Sequence, residues 1–275
     1  MSTPPFRALV LAGERAGGSR LARALGLPAA VLAPLAGRPC ILRVIDALCA
    51  ARQVQGVTLC GPRPAVIDAS PDLTALLRRE DVAWLAPAAG PAASASAAAQ
   101  AGGRWPLLLT SGDHGLLTPG VVDTFCADAR AAADAGGADV IVGLVPHRQV
   151  ARAFPDSRRT VLRFADGAYC GSNLFALVGP GSLRALAFWS SVEADRKRPW
   201  RIARRLGAAT LLRYLLGRLP VDGAFDVLSR RAGCRVRWIP VACARAAVDV
   251  DSEADWRLAD RLLTADAGAE PGCRT

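Results

Sequence analysis

Arg7-Ala-Leu-Val-Leu-Ala-Gly-Glu-Arg-Ala-Gly-Gly-Ser-Arg20 is the stretch whose reading decides the fold. Ala8 to Ala12 is a continuous apolar run bounded by glycine, which reads as a buried strand of a parallel sheet. Gly13, Gly17 and Gly18 follow, permitting backbone conformations and close approaches that a side chain would block. Arg15 and Arg20 add cationic donors. Backbone N–H groups combined with guanidinium forks suit a polyphosphate. An ordinary strand-to-helix turn would use the same glycines, and the loop alone does not choose between the two.

Working outward, strand-like and helix-like segments alternate. Gly37-Arg38-Pro39 opens a helical pattern through Arg52, with Ile41, Val44, Ile45 and Leu48 at helical spacing. Val57–Cys60 reads as a second strand, Ala65–Arg78 as a helix, Val82–Leu85 as a third strand and Ala93–Ala101 as an alanine-rich helix. Trp105–Thr110 is a fourth strand, apolar until Thr110-Ser111-Gly112-Asp113-His114. Repeated βα units of this kind predict an α/β fold, a three-layer αβα Rossmann-like sheet with helices on both faces. Ligands of such sheets sit beyond the carboxyl ends of the strands, where Asp113 is expected. A carboxylate there suits a hard cation such as magnesium bridging to phosphate oxygens. The alternative is that Asp113 caps the helix starting near Pro119, although Thr118 is the better placed cap. His114 could contact substrate, or serve as a local hydrogen-bonding residue.

Val140–Val145 is another strand, and Arg159–Phe164 with Ala168–Val178 reads as a hairpin around Asp166-Gly167. Its second arm carries Gly171-Ser172-Asn173, a polar set that is costly inside an apolar strand unless its groups are satisfied. A substrate would satisfy them; so would a β-bulge. Residues 181–232 turn helical and basic, a segment that could rest on anionic lipid headgroups, receive a phosphorylated substrate, or pack as a helical subdomain with a solvated face. No nucleic-acid motif occurs in it. Strands return at Val236–Pro240 and Ala246–Val248. Ser252 with Asp255 makes a capping box, and Asp249 and Asp251 are expected to face opposite ways, so that only one enters a site. One domain over residues 1–265 is expected, with 266–275 a disordered tail.

The composition agrees with that layout. The chain has 275 residues, 52% of them hydrophobic, enough for a sizeable core. No apolar run reaches the roughly 18 residues of a membrane span, and no signal pattern opens the chain, so a cytoplasmic location is expected. Eight scattered cysteines with only two histidines read as reduced thiols and not as a zinc site or disulfide frame. The net charge of +10 favours an anionic partner, be it nucleotide, phosphorylated metabolite, nucleic acid or membrane surface. Lys197 is the lone lysine, either retained at a needed position or a chance survivor of drift toward arginine.

Leu11-Ala-Gly-Glu-Arg-Ala-Gly-Gly, Leu35-Ala-Gly-Arg-Pro, Ser111-Gly-Asp-His-Gly-Leu-Leu, Gly171-Ser-Asn and Asp249-Val-Asp-Ser-Glu-Ala-Asp together resemble the MobA-like NTP transferases. These are molybdenum cofactor guanylyltransferase-like nucleotidyltransferases of glycosyltransferase-A-like Rossmann fold. The resemblance implies transfer of a nucleoside monophosphate from an NTP to a phosphorylated acceptor, with release of pyrophosphate. It places Leu11, Ala12, Gly13, Arg15, Gly17 and Gly18 on the triphosphate and base, and Ser94 or Ser96 near the base. Asp113 and Asp251 would hold magnesium, Asn173 and His114 would meet the acceptor, and Arg15 or Lys197 would join Asp113 in catalysis. Family members usually carry a lysine a few residues before the Leu-x-Gly-x-Pro segment, where this chain has Ala30. Arg15, Arg20 or Lys197 must supply that charge, or the protein is a catalytically impaired nucleotide- or partner-binding homologue.

Overall fold

The computed structural model describes residues 4–14, 18–102, 104–195 and 207–268. Its strands are β1 (Phe6–Leu11), the two-residue pair β2 (Pro34–Leu35) and β3 (Arg38–Pro39), β4 (Val54–Cys60), β5 (Val82–Leu85), β6 (Leu107–Ser111), β7 (Val140–Pro146), β8 (Leu162–Phe164), β9 (Gly167–Leu177) and β10 (Val236–Pro240). The described helices are α1 (Arg20–Ala24), α2 (Cys40–Cys49), α3 (Pro64–Asp68), α4 (Pro71–Leu76), α5 (Pro91–Gly102), α6 (Pro119–Gly136), α7 (His147–Ala153), α8 (Ser182–Ala194), α9 (Ala208–Leu215), α10 (Val221–Ala232) and α11 (Glu253–Gly268).

The main sheet runs β10-β7-β9-β6-β1-β4-β5, with β8 on β9. It is parallel except at β9, which runs antiparallel to β6, β7 and β8. From β1 the chain winds outward through β4 to β5, then crosses back so that β6 pairs with the other side of β1. The β1–β6 boundary is therefore where the winding reverses, the place where open α/β sheets bind ligands.

Successive side chains on the central strands divide between two cores. Ala8 and Val10 of β1 and Leu108 of β6 pack with Ile41, Val44, Ile45 and Leu48 of α2 and with Val122 and Phe125 of α6. Leu9, Leu107 and Leu109 point the other way, onto Ala95, Ala98 and Ala99 of α5, Leu186 of α8 and Phe225 of α10. A strand buried on both faces needs an unbroken apolar run, which is why these read as blocks without alternation. The alanine-only contact surface of α5 lets it lie close on the sheet.

Where structure and sequence differ, the causes are local. The expected helix over 65–78 is two, because Pro71 has no N–H to continue α3 and Ser70 instead caps α4, its Oγ accepting from Leu73 N at 3.4 Å. Ala246–Val248 is no strand: Ala244–Ala247 forms a 3₁₀ turn whose apolar side chains are buried without a ladder. The last helix continues to Gly268, three residues into the expected tail, and residues 269–275 lie outside the described residues. The basic 181–232 segment is described only in its helices α8, α9 and α10; residues 196–206, including Lys197, lie outside the described residues.

Helix α6 starts with Pro119 at its first position and with Thr118 Oγ1 accepting from Val121 N at 3.3 Å. This leaves Asp113 out of the capping role. Thr118→Ala should lower stability by about 1 kcal/mol, read as a lower urea midpoint at unchanged slope.

Candidate active site

The site is built at the carboxyl ends of β1 and β6. Leu11 and Ser111 stand side by side in register, and just beyond them Gly112 N donates to Leu11 O at 2.8 Å. This bond sets Asp113 beside the start of the glycine loop. At the end of β4, Gly61 has φ +88°, and a Cβ there would come within 2.9 Å of Gly13 N and 3.0 Å of Ala12 C. Only glycine lets the β4 loop press so closely on the loop after β1. Gly112 is also hemmed in: its Cβ would stand 3.2 Å from Ala12 Cβ and 3.4 Å from Val31 Cγ1. The 3₁₀ turn Ala30–Leu32 thus forms a wall against Gly112.

Asp113 offers its carbonyl to Val250 N at 3.0 Å, which draws the segment 248–251 onto the site from the far end of the sequence. Val248 and Val250 are buried in the core, at 0% and 1% exposure, and the aspartates alternate with them. The expectation that Asp249 and Asp251 face opposite ways is corrected here, since residues two apart on an extended segment share a side. Asp249 lies deeper and Asp251 is exposed. Burial first, then the charges of Asp113 and Asp251, raise the Asp249 carboxyl to about 7 against the opposing effects of Arg159 and a hydrogen bond from Asn173. Its Oδ1 is buried with no hydrogen-bond partner among the described residues.

Asn173 reaches the site from β9. Between Val142 and Leu144 of β7 the register with β9 slips, making a bulge around Ser172-Asn173. Ser172 is buried and donates its hydroxyl to Gly143 O at 2.8 Å, while Asn173 adopts φ +50° and points Nδ2 at Ser111 Oγ, 3.2 Å away. The polar set is thus satisfied by a bulge that also aims an amide at the carboxylates.

The structure adds Arg159 to the candidate site and places Asp249, which the resemblance left aside in favour of Asp251, beside Asp113. Arg159, 10% exposed, donates from Nη1 to the Asp249 carbonyl at 3.2 Å and pairs through Nη2 with Asp255. Asp255 closes the expected capping box with Ser252, its Oδ2 accepting from Ser252 N at 3.0 Å while Ser252 Oγ accepts from Asp255 N at 3.3 Å. A guanidinium and a helix cap therefore hold the acidic loop in place. The signal for Asp249 was its two buried valine neighbours; nothing near Arg159 in sequence announces its partner.

The other candidates sort by position. Leu11 is half-buried, Ala12 buried and Gly13 exposed, with Gly18 at φ +70°. Arg15 and Gly17 lie outside the described residues. A Cβ on Gly13 would stand 3.1 Å from Pro87 Cβ, so the loop between β5 and α5 abuts the glycine loop. Ser94 is buried and shapes that loop, its Oγ accepting from Ala88 N at 2.9 Å. Ser96 is half-buried one turn from Gln100, whose Nε2 is 3.4 Å from its Oγ. His114 cannot meet an acceptor as expected: it is 0% exposed, with Nδ1 3.4 Å from Thr110 Oγ1. Burial lowers its pKa to about 4 and keeps the ring neutral. Cys40, beneath Gly115, has its thiol pushed up by burial and then by Asp113, which makes it no nucleophile.

Among the described residues no three of His, Cys, Asp and Glu stand close enough to hold a metal by themselves. Asp113 and Asp249 bring two oxygen-donor carboxylates near enough that the charge of one raises the pKa of the other.

A family model described as MobA-like NTP transferase domain matches residues 8–186. The chain belongs to that family. Within it, the matched span takes in the loop after β1, Asp113 and Asn173 and ends before Asp249. Similar solved structures include a hypothetical transferase from Thermus thermophilus, 30% identical over 92% of this chain and 100% of that one, with a TM-score of 0.75. A 4-diphosphocytidyl-2C-methyl-D-erythritol synthase from Anaerococcus prevotii is 10% identical over 94% and 96% of the two chains, TM-score 0.55. A CMP:2-keto-3-deoxy-manno-octonic acid synthetase complexed with CTP is 14% identical over 95% and 99%, TM-score 0.56. The last two share the fold with this MobA-like transferase. No curated protein sequence matches it.

The raised Asp249 pKa has a thermal consequence. From its ordinary value of 3.8 up to about 7 the folded chain keeps a proton the unfolded chain has released, so stability falls as pH rises through that window. Asp249→Asn should flatten this slope and raise the melting temperature above pH 7, as calorimetry across the range would record.

Proposed function

We propose that this MobA-like transferase moves a nucleoside monophosphate from an NTP onto a phosphorylated small-molecule acceptor and releases pyrophosphate. The observation that carries the reading is the convergence of Asp113 and Asp249 beside the loop after β1. The donor set fits magnesium: hard carboxylate oxygens, one of them buried without a hydrogen-bond partner among the described residues, and an Asp249 pKa raised to about 7 by burial first and then by the charges of Asp113 and Asp251. Asp113 and Asp249 would hold the ion, with Asp251 beside them in place of the ligand role the sequence suggested for it. When bound, magnesium would offset charge on the α-phosphate and the entering phosphate.

The chain's own groups supply position. Backbone N–H groups from Gly13 onward would hold the triphosphate, with the loop shaped by Ser94 packed against them. Asn173 would orient the acceptor phosphate, and Arg159 holds the acidic loop rigid. An acceptor phosphate oxygen forms the new bond to the α-phosphorus while the α–β bridging bond breaks, and its electron pair leaves with pyrophosphate. The attacking oxygen of a phosphate is already ionised near neutral pH, so no general base is needed. A buried, neutral His114 is compatible with that chemistry.

One observation favours a second reading, nucleotide binding without turnover. The turn packed on Gly112 presents Ala30 and Val31 where a cation would face the phosphates. Pyrophosphate release from a panel of NTPs and phosphorylated acceptors with magnesium distinguishes the two. Under the first reading the wild type turns over, and Asp113→Ala and Asp249→Asn each cut kcat by more than about 100-fold while remaining folded. Nucleotide-induced thermal stabilisation without turnover on any acceptor gives the second reading.

A further inference from the structure

The described surface exposes its large apolar side chains in one place. Leu212, Leu215 and Leu216 are 58%, 71% and 57% exposed, and these three are the exposed large hydrophobics of the described chain. They follow i, i+3, i+4 spacing on α9 and its C-cap, so they form one contiguous stripe. The opposite side of α9 is the docked one: Tyr214 packs edge-on to Phe164 at 5.8 Å, and its hydroxyl accepts from Arg163 N at 3.3 Å. The leucines are thus held outward by a helix anchored to the β8–β9 hairpin.

The charge around the stripe has one sign. Arg213 and Arg218 are exposed on and just after the helix, Arg163 is exposed at the docking point, and Arg231 reaches to within 3.1 Å of the Cβ position at Gly207. No acidic residue occurs between Gly207 and Val221, and in sequence the preceding run from Arg196 to Arg205 is basic as well. The acids beyond the helix end are engaged: Asp166 accepts from Val221 N at 3.0 Å and Asp222 from Trp238 Nε1 at 2.7 Å. Apolar side chains rimmed by arginines, on a helix too short to cross a bilayer, match an interface helix that lies in the plane of anionic headgroups.

We propose that α9 docks this protein on an anionic lipid surface, with Leu212, Leu215 and Leu216 entering the headgroup layer and the arginines meeting lipid phosphates. The hairpin that carries α9 sits at the carboxyl ends of the parallel strands, because Tyr169 near its turn pairs with Pro146 at the end of β7. Docking there brings the sheet edge that bears Asp113 and Asp249 to the membrane side of the molecule. The reaction proposed above does not enter this argument, and neither depends on the other.

The test is co-sedimentation of the full chain with vesicles of phosphatidylglycerol and phosphatidylcholine, and with vesicles of phosphatidylcholine alone. The wild type should pellet with the anionic vesicles at low salt, much less as salt rises, and not with the neutral ones. Leu212→Ser/Leu215→Ser/Leu216→Ser should reduce the partition coefficient at least about tenfold. Arg213→Gln/Arg218→Gln should reduce it about fivefold per arginine at low salt, which keeps the proposal testable if the leucine variant fails to fold. An unchanged melting temperature identifies folded variants. No binding to anionic vesicles at low salt overturns the proposal, as does equal binding by wild type and both variants. So does a concentration-dependent dimer that the leucine variant abolishes, which would give the stripe to a second copy of the chain.

Discussion

A single backbone hydrogen bond, Val250 N to Asp113 O at 3.0 Å, holds the candidate site together. It joins the turn after β6, in the middle of the sheet, to a loop that follows the last strand, across about half the sequence. Without it two carboxylates of like charge would drift apart, since each raises the cost of ionising the other. Arg159, Asp255 and Ser252 reinforce it by fixing the loop from the outer side. The backbone contact makes the approach of the acids a property of the fold.

The sheet explains why this contact can form. β9 enters antiparallel between β6 and β7, so its bulge at Ser172-Asn173 falls level with the end of β6. A purely parallel insertion would have carried the chain past that level in the other direction. The bulge turns Asn173 into the left-handed region, an arrangement asparagine tolerates better than most residues, and the side chain gains a partner in Ser111. Close packing of Gly61 and Gly112 against the loop after β1 then leaves that loop facing the same space.

Much of this was legible in the residues. Val82–Leu85 and Val236–Pro240 are strands with the boundaries read from their apolar runs, and the Asp166-Gly167 turn closes the hairpin as expected. The glycine loop, Asp113 and Asn173 were found because glycine or a polar residue interrupts an apolar strand. What escaped detection depended on three-dimensional neighbours. The resemblance put Asp251 in the site and the strand period was misapplied in setting the two aspartates on opposite sides; depth of burial is what separates them. His114 was weighed as a substrate contact or a local hydrogen-bonding residue, and its full burial beside Thr110 Oγ1 fits the second. Ala246–Val248 had the composition of a strand, but Ala244–Ala247 turns as a 3₁₀ helix and its buried alanines pack without a ladder.

The acidic pair has consequences during synthesis. The loop after β1, the sheet centre and Asp113 all precede residue 186, whereas Asp249 arrives after every strand has been made. A nascent chain carries the loop after β1 and the central strands before it carries the second carboxylate. The two carboxylates come together only once the segment after β10 has been made, because the contact from Val250 N to Asp113 O depends on it.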